Sequence, residues 1–357
     1  MRSGSLTRIH DDYDRYIRKK WMILLALAAV LFSMCVLSIS VGSSGLSVAA
    51  ILKTLLGGGM PSSKTIVWNV RMPRIAAGVS VGIALAMSGC VMQNVLRNPL
   101  SSASTLGVAQ GASFGAAFAI VYLGAGIQVN AGTSAAITVT NPYLIAVCAF
   151  LGGIGTTVLI LGLSRVSGVT PPVMILAGVA FSSLFIGATT LIQYFADDVM
   201  IATVVYWTFG SLGRAGLRES ALIFFLGAVA FLYFIYNRWN YNALESGTHT
   251  AKSLGVPVDR LIVTSMAVCA LISSVAVAFV GTINFIGLIA PHMVRRFVGN
   301  DYRYLIPGSA LMGAALMVAS DVLSRILIAP AVLPIGALTS FLGAPLFLYM
   351  IVKGNIK

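Results

Sequence analysis

The residues able to do chemistry are few in this sequence: 10 Asp and Glu, 3 His and 4 Cys, beside 23 Lys and Arg. Gly247-Thr-His-Thr-Ala-Lys252-Ser253 has some of the residue types of a phosphate-cradling loop. It lacks the glycine before the lysine and the spacing that aims backbone N–H groups at phosphate, and no strand precedes it. Any ATP chemistry must come from a partner. No GxSxG elbow, HExxH helix or pair of carboxylates within an apolar stretch is present, so no catalytic residue is assigned. Cys35, Cys90, Cys148 and Cys269 stand singly in apolar surroundings without CxxC spacing. They read as buried small residues, with no metal site and no cofactor implied.

What remains is a set of polar residues at the edges of apolar stretches. His292 follows Pro291 and precedes Arg295 and Arg296, and a structural hydrogen-bonding role is favoured for it over a proton or metal role. Asp321 lies four residues before Arg325, which puts both on one helix face as a pair. Gln93, Asn94 and Asn98 bracket Arg97, and Asn98-Pro99-Leu100 opens a tight turn. That turn reads either as an ordinary connector or as a constriction in which irregular backbone lines a cavity. The longest polar connection, 237–260, sets Leu244, Ala251, Leu254 and Val256 among polar residues and suggests two short amphipathic helices that offer an apolar edge to another protein.

The elements that position these residues follow from composition. The chain is 58% hydrophobic and 9% charged, with a mean hydropathy of +0.94, and so little charge cannot cover a water-facing surface. Its solvent is lipid. The polar segment 1–20 is followed by Met22–Val41, an uncharged stretch of the length that crosses the hydrocarbon core rather than a cleavable signal. Further spans are expected over Ile75–Leu96, Thr105–Gly126, Tyr143–Leu163, Val173–Ala196, Ser220–Tyr236, Tyr304–Ser324 and Ile335–Val352. Leu261–Val294 is too long for one span and is expected to break into two helices, the second short. About ten spans result, with both termini on one side.

Most of the Lys and Arg fall on that side, including Arg2 to Lys20, Lys353 and Lys357, whereas Lys53, Lys64, Arg71, Arg74, Arg214, Arg218 and Arg325 fall on the other. The positive-inside rule then makes both termini cytoplasmic. The net charge of +13 reflects topology and attraction to anionic membrane lipid, so nucleic acid is not needed as a partner. Glycines recur near four-residue spacing, as at Gly78, Gly82 and Gly89 and at Gly107, Gly111 and Gly115. Small residues on one helix face let backbones approach in lipid, which favours a compact bundle.

Several strings in order resemble one family. Arg71-Met-Pro-Arg74, Gly82-Ile-Ala-Leu-Ala-Met-Ser-Gly89, Gln93, Arg97-Asn-Pro-Leu100 and Leu106-Gly107 with Gly111-Ala112 form the first block. Leu176-Ala-Gly178, Trp207 with Gly210-Ser-Leu212, and Leu254-Gly-Val256 follow. The most specific string is Gly281-Thr-Ile-Asn-Phe-Ile-Gly-Leu-Ile-Ala-Pro-His292, with Arg295, Gly299, Asp301, Arg303 and Pro307 after it; Leu333-Pro-Ile-Gly336 and Gly343-Ala-Pro345 close the series. From Arg71 to Val352 the chain resembles the iron-complex and cobalamin permeases, the membrane subunits of type II ABC importers.

The resemblance implies an all-α membrane protein with ten helices in two inverted five-helix halves, a relation faintly echoed by Ala86-Met-Ser-Gly89 against Ala278-Phe-Val-Gly281. It implies a second permease protomer, identical or not, two ATP-binding subunits and an extracytoplasmic substrate-binding protein in a cytoplasmic-membrane importer of an iron–siderophore, heme or cobalamin complex. Arg71, Arg74 and Arg325 match residues that dock acidic groups of the binding protein, although snorkelling to lipid headgroups is an alternative for each. Asn98, Pro99 and Leu100 match a cytoplasmic gate, with Thr170 in its second turn. The segment Gly247 to Gly255, including Ala251 and Leu254, matches the contact with the ATP-binding subunits. Thr248, Val332 and Tyr302 depart from the family pattern, where Glu, Glu and His are usual. A secondary carrier working alone is the competing reading, and an intramembrane enzyme a third.

Overall fold

The computed structural model describes residues 3–42, 46–126, 128–129, 137–138, 141–168, 170–329 and 331–353. Arg2 and Lys357, which entered the charge asymmetry, lie outside the described residues. The first helix, α1 (Ser3–Ser40), runs unbroken through the polar segment and the first span, because nothing in Ser3–Lys20 breaks a helix. Two short helices follow, α2 (Val48–Leu55) and α3 (Pro61–Lys64), and a π-helical turn over Thr65–Arg71 leads straight into α4 (Met72–Val95). Next come α5 (Val108–Val121), a two-residue antiparallel pairing of Gln128-Val129 with Ile137-Thr138, α6 (Pro142–Ser167), α7 (Pro171–Tyr194) and α8 (Asp198–Thr208). After a 3-10 turn at Leu212–Arg214 the chain forms α9 (Leu217–Tyr236), α10 (Arg238–Glu245), α11 (Thr248–Ser253), α12 (Val258–Val280), α13 (Ile286–Val298), α14 (Tyr302–Ile326) and α15 (Ile335–Val352).

Among the described residues, seven helical stretches are long and apolar enough to cross a membrane: those of α1, α3–α4, α6, α7, α9, α12 and α14. With the shorter α5, α13 and α15 they supply the expected ten in order. Two differences stand out. The expected span Thr105–Gly126 is the 14-residue α5, because Gly107 at φ +82° places the start of the helix at Val108. An additional apolar helix, α8, occupies 11 residues between α7 and α9.

The halves repeat their packing. Helix α4 packs on α14 as α12 packs on α6; α5 packs on α6 as α13 packs on α14; and α4 meets α13 as α12 meets α5. Matching the first five spans to the last five in order turns each of these contacts into the other, as the inverted-repeat expectation requires. Helices α4, α12 and α14 are the most buried spans and form the centre of the bundle, while α1 and α7 are largely exposed at their flanks.

Glycine makes the central crossings possible. A Cβ on Gly89 would sit 1.8 Å from the carbonyl oxygen of Gly287, so α4 and α13 touch backbone to backbone. Pro291 has no N–H to offer that carbonyl four residues back, which leaves it turned to Gly89. Helices α5 and α6 cross in the same way at Gly111 and Gly152, where a Cβ on either would lie 2.1 to 2.4 Å from the other's carbonyl oxygen. In lipid, where apolar surface gains nothing by leaving the solvent, such close approach supplies dispersion contacts that hold the bundle together.

Side-chain contacts define two polar ends. One, here the turn end, gathers the C-terminus of α4, the α4–α5 turn, α10, the C-terminus of α13, the start of α14 and Lys20 of α1. The other, the arginine end, gathers the C-terminus of α1, the start of α4 and the C-terminus of α14.

Candidate functional site

The turn end is built mainly from side-chain hydrogen bonds. Helix α4 ends at Val95, and two residues on, Arg97 takes φ +48°, a left-handed conformation that costs an L-residue about 1–2 kcal/mol. Asn98 then accepts the Leu100 N–H on Oδ1 at 2.8 Å, a local Asx turn that stiffens Asn98–Leu100. Thr105 Oγ1 closes the loop by donating to Leu100 O at 3.2 Å and accepting from Ser102 N at 2.8 Å. Leu100 is 46% exposed. From outside the loop, His292 Nε2 meets the Pro99 carbonyl at 2.8 Å. A carbonyl only accepts, so Nε2 carries the proton, and Nδ1 is left to accept from Arg295 Nη1 at 3.4 Å. Arg295 Nη2 reaches Gln93 Oε1 at 3.4 Å, and Gln93 Nε2 donates to Leu288 O at 3.2 Å. The structural role expected of His292 is the one it has.

One residue further along α4, Asn94 Nδ2 donates to Tyr241 O and to Glu245 Oε2, each at 3.2 Å. Glu245, the last residue of α10, also accepts from Asn300 Nδ2 at 2.8 Å and from the Tyr302 hydroxyl at 3.5 Å. Tyr302 is buried beside Tyr241, with ring centroids 5.8 Å apart, so its departure from the family pattern becomes a packed hydrogen-bond donor. Between the turn and α10 lies a cavity of about 230 Å³ lined by Gln93, Asn94, Asn98, Pro99, Glu245 and Arg295 among others. Asp301 caps α14 by accepting from Arg303 N, and Asn242 Oδ1 accepts from Tyr302 N at 2.8 Å. Burial works to raise the Asp301 pKa, but hydrogen bonds from Arg303, Asn242 and the Arg303 backbone, with the Arg303 charge, bring it from 3.8 down to about 2.

The two short helices expected in 237–260 are α10 and α11. Gly247 at φ +119° makes the corner between them and Gly255 at φ +82° the exit, conformations that only glycine adopts without strain. Leu254 is 68% exposed and stands clear beside a groove formed by Lys252, Gly255, Val256 and Pro257. Ala251 differs from the expectation: it is fully buried inside the pair, so it shapes α11 rather than offering a surface. Thr170 precedes α7 without capping it, and among the described residues no hydrogen bond joins it to Asn98, Pro99 or Leu100.

The arginine end is built from charge. Arg71 donates through Nη1 to the carbonyls of Ile39 and Ser40, and Arg325 donates to Val41 O at 2.8 Å and Ser38 Oγ at 2.7 Å. These acceptors lie at the C-terminus of α1, where helix carbonyls lack intrahelical donors and the helix dipole is negative. Arg325 Nη2 also pairs with Asp321 Oδ2 at 2.9 Å, the pair expected from the spacing, and Arg74 Nε lies 3.6 Å from Asp321 Oδ1. These arginines turn inward. Arg71 is 4% exposed and its guanidinium faces α1, so in this conformation Arg71 and Arg325 do not present outward forks to a partner. The missing signal is understandable, since backbone carbonyls of α1 leave no mark in the sequence.

A cavity of about 610 Å³ that the sequence did not suggest lies between α6, α8, α9 and α12, walled by Tyr143, Tyr206, Trp207 and Phe279. Its charged residues are already engaged. Arg214 caps α8 by donating to Trp207 O at 2.8 Å and to Tyr206 O, and burial lowers its pKa to about 10; the Tyr143 hydroxyl donates to Glu219 at 2.7 Å.

Comparison with known proteins places this geometry. The profile of the FecCD transport family matches residues 28–353. A protein of Methanocaldococcus jannaschii described as an ABC transporter permease is 48% identical over 345 residues, covering 97% of this chain and 98% of its own. The hemin transport system permease protein HmuU of Yersinia pestis is 32% identical over 335 residues, 92% of this chain and 96% of its own. A solved metal-chelate type ABC transporter in an inward-facing conformation superposes with a TM-score of 0.81 at 30% identity, covering 93% of this chain and 99% of that one.

Proposed function

The chain belongs to the FecCD transport family, and from that premise we propose that it is the permease subunit of an ATP-driven importer that moves an iron–siderophore, heme or cobalamin complex across the cytoplasmic membrane. It is a multi-pass membrane protein and not an ATPase; in this family hydrolysis is supplied by separate subunits. Two such ATP-binding subunits meet the turn end, a second permease protomer completes the path, and a substrate-binding protein delivers cargo at the arginine end. Both termini are then cytoplasmic, in line with the bias of Lys and Arg toward that side.

The observation that carries this reading is the placement of α10 and α11. They stand at the same end as the Asn98–Leu100 turn, with Leu254 exposed toward a partner and Glu245 bonded to the end of α4. A partner that closes on Leu254 and Gly255 has a route to the turn. We read Asn98, Pro99 and Leu100 as the gate of this protomer and Thr170 as its second element. Arg71, Arg74 and Arg325 serve docking by fixing the shape and positive potential of the rim. The ion-coupled carrier is less well supported, because Asp321, the buried acid of the spans, is held in a pair with Arg325 instead of being available to bind and release a proton.

Reconstitution tests the proposal. Vesicles with this chain, its ATP-binding subunits and its binding protein should take up one of a panel of ferric hydroxamate, heme and cobalamin only when ATP is inside. Uptake by the chain alone under a proton or sodium gradient would overturn it.

A further inference from the structure

We propose that His292 and Glu245 are positioning residues for the gate, joined through the end of α4 into one hydrogen-bonded linkage between α10 and the α4–α5 turn. The inference rests on reading that turn as a gate and the α10–α11 pair as the ATPase contact.

The argument begins with Pro99. It has no N–H, and the Asn98 side chain already holds the next N–H, so the Pro99 carbonyl is the point by which the rest of the protein grips the turn. His292 grips it from α13, 193 residues away, with its ring fixed between Pro99 and Arg295. Arg295 passes the constraint to Gln93, whose neighbour Asn94 bonds Glu245 on α10. Every connection is therefore either a hydrogen bond or one step along α4.

The chemistry of the linkage suits movement. The donors recorded on Glu245 are all neutral: two amides and a phenol. Because Glu245 is itself exposed, these bonds exchange for water more readily than a buried ion pair does, and the cavity of about 230 Å³ beside them gives room for the exchange. Glu245 has one oxygen for α4, through Asn94, and the other for the α13–α14 loop, through Asn300, so a shift of α10 pulls on both. His292 has the opposite task. Buried and bonded to a single carbonyl, it keeps the turn in one register until α13 moves.

The test uses the full transporter in vesicles, with two readouts: leak of preloaded cargo without ATP, and cargo moved per ATP hydrolysed. His292→Leu should raise the leak about tenfold, the change expected when one such bond is lost, whereas His292→Gln, whose amide still donates to Pro99, should restore tightness. Glu245→Gln, which must give up one of its two amide donors, should lower cargo per ATP by a similar factor without raising the leak. If His292→Gln leaks as His292→Leu does, ring packing rather than the bond to Pro99 matters and the proposal fails. Where His292→Leu does not assemble, Asn94→Ala replaces it, and cargo per ATP at the wild-type value would overturn the linkage. Leu100→Ala separates the two levels: a leak there with none in His292→Leu refutes the linkage and keeps the gate, while no change in Leu100→Ala refutes the gate itself.

Discussion

The two polar ends solve different problems. At the arginine end, guanidinium groups from the turn before α4, from α4 and from α14 converge on one buried carboxylate and on the last carbonyls of α1. Removing Asp321 leaves the guanidinium groups of Arg74 and Arg325 without their acid in a largely buried place. At the turn end, amides, a phenol, an imidazole and the exposed carboxylate of Glu245 share bonds around a cavity. The first arrangement is a clamp and the second a linkage. The difference teaches that polarity inside a membrane protein is not one property: buried charge fixes, while hydrogen bonds beside an open cavity allow motion.

The strongest way to break this comparison is to unbalance the clamp. Asp321→Ala should lower stability by about 3–5 kcal/mol, the cost of leaving a buried pair half removed. Thermal unfolding of the purified subunit in detergent checks it, and a loss as small as that of an exposed pair would mean that water reaches Asp321. Asn94→Ala at the turn end should cost only about 1–2 kcal/mol in the same measurement, yet impair ATP-coupled uptake far more than that loss predicts.

Asp301 sharpens the contrast because it is a turn-end acid held by cations, with Arg303 at 2.7 Å and Lys20 at 3.5 Å. Its folded pKa, about 2, lies below its ordinary 3.8, so its contribution is present above about pH 4 and is lost as pH falls toward 2. Unfolding followed from pH 7 to pH 3 should show no loss attributable to Asp301 down to about pH 5, and Asp301→Asn should remove the acid-side decline. The smallest effect is expected at Arg97. Relief of its left-handed backbone in Arg97→Gly should stabilise the protein by no more than about 1 kcal/mol, since glycine also frees the unfolded chain.

Much of this was legible in the sequence. Span order followed from apolar length, the Asp321–Arg325 pair from four-residue spacing, and the two short helices of 237–260 from apolar residues set among polar ones. Three features were not. Helix α8 has only 11 residues, too few to read as a span. The inward turn of Arg71 and Arg325 depends on carbonyls of α1, which every residue possesses. The His292 bond to Pro99 joins residues 193 apart, and no local pattern encodes such a partner. Ala251 shows the same limit at short range: a six-residue helix is too brief for its apolar positions to declare which face is buried.

The central claim is that the turn end links nucleotide events to the gate while the arginine end holds the bundle and its docking rim in shape. The most direct test compares cargo moved per ATP hydrolysed, in vesicles of the full transporter, for Glu245→Ala and Asp321→Asn, each normalised to the folded permease present. The ratio should fall about tenfold in Glu245→Ala, the loss of at least one charge-assisted bond in the linkage, and stay at the wild-type value in the Asp321→Asn molecules that fold. Equal ratios in the two variants, or a wild-type ratio in Glu245→Ala, would contradict the account.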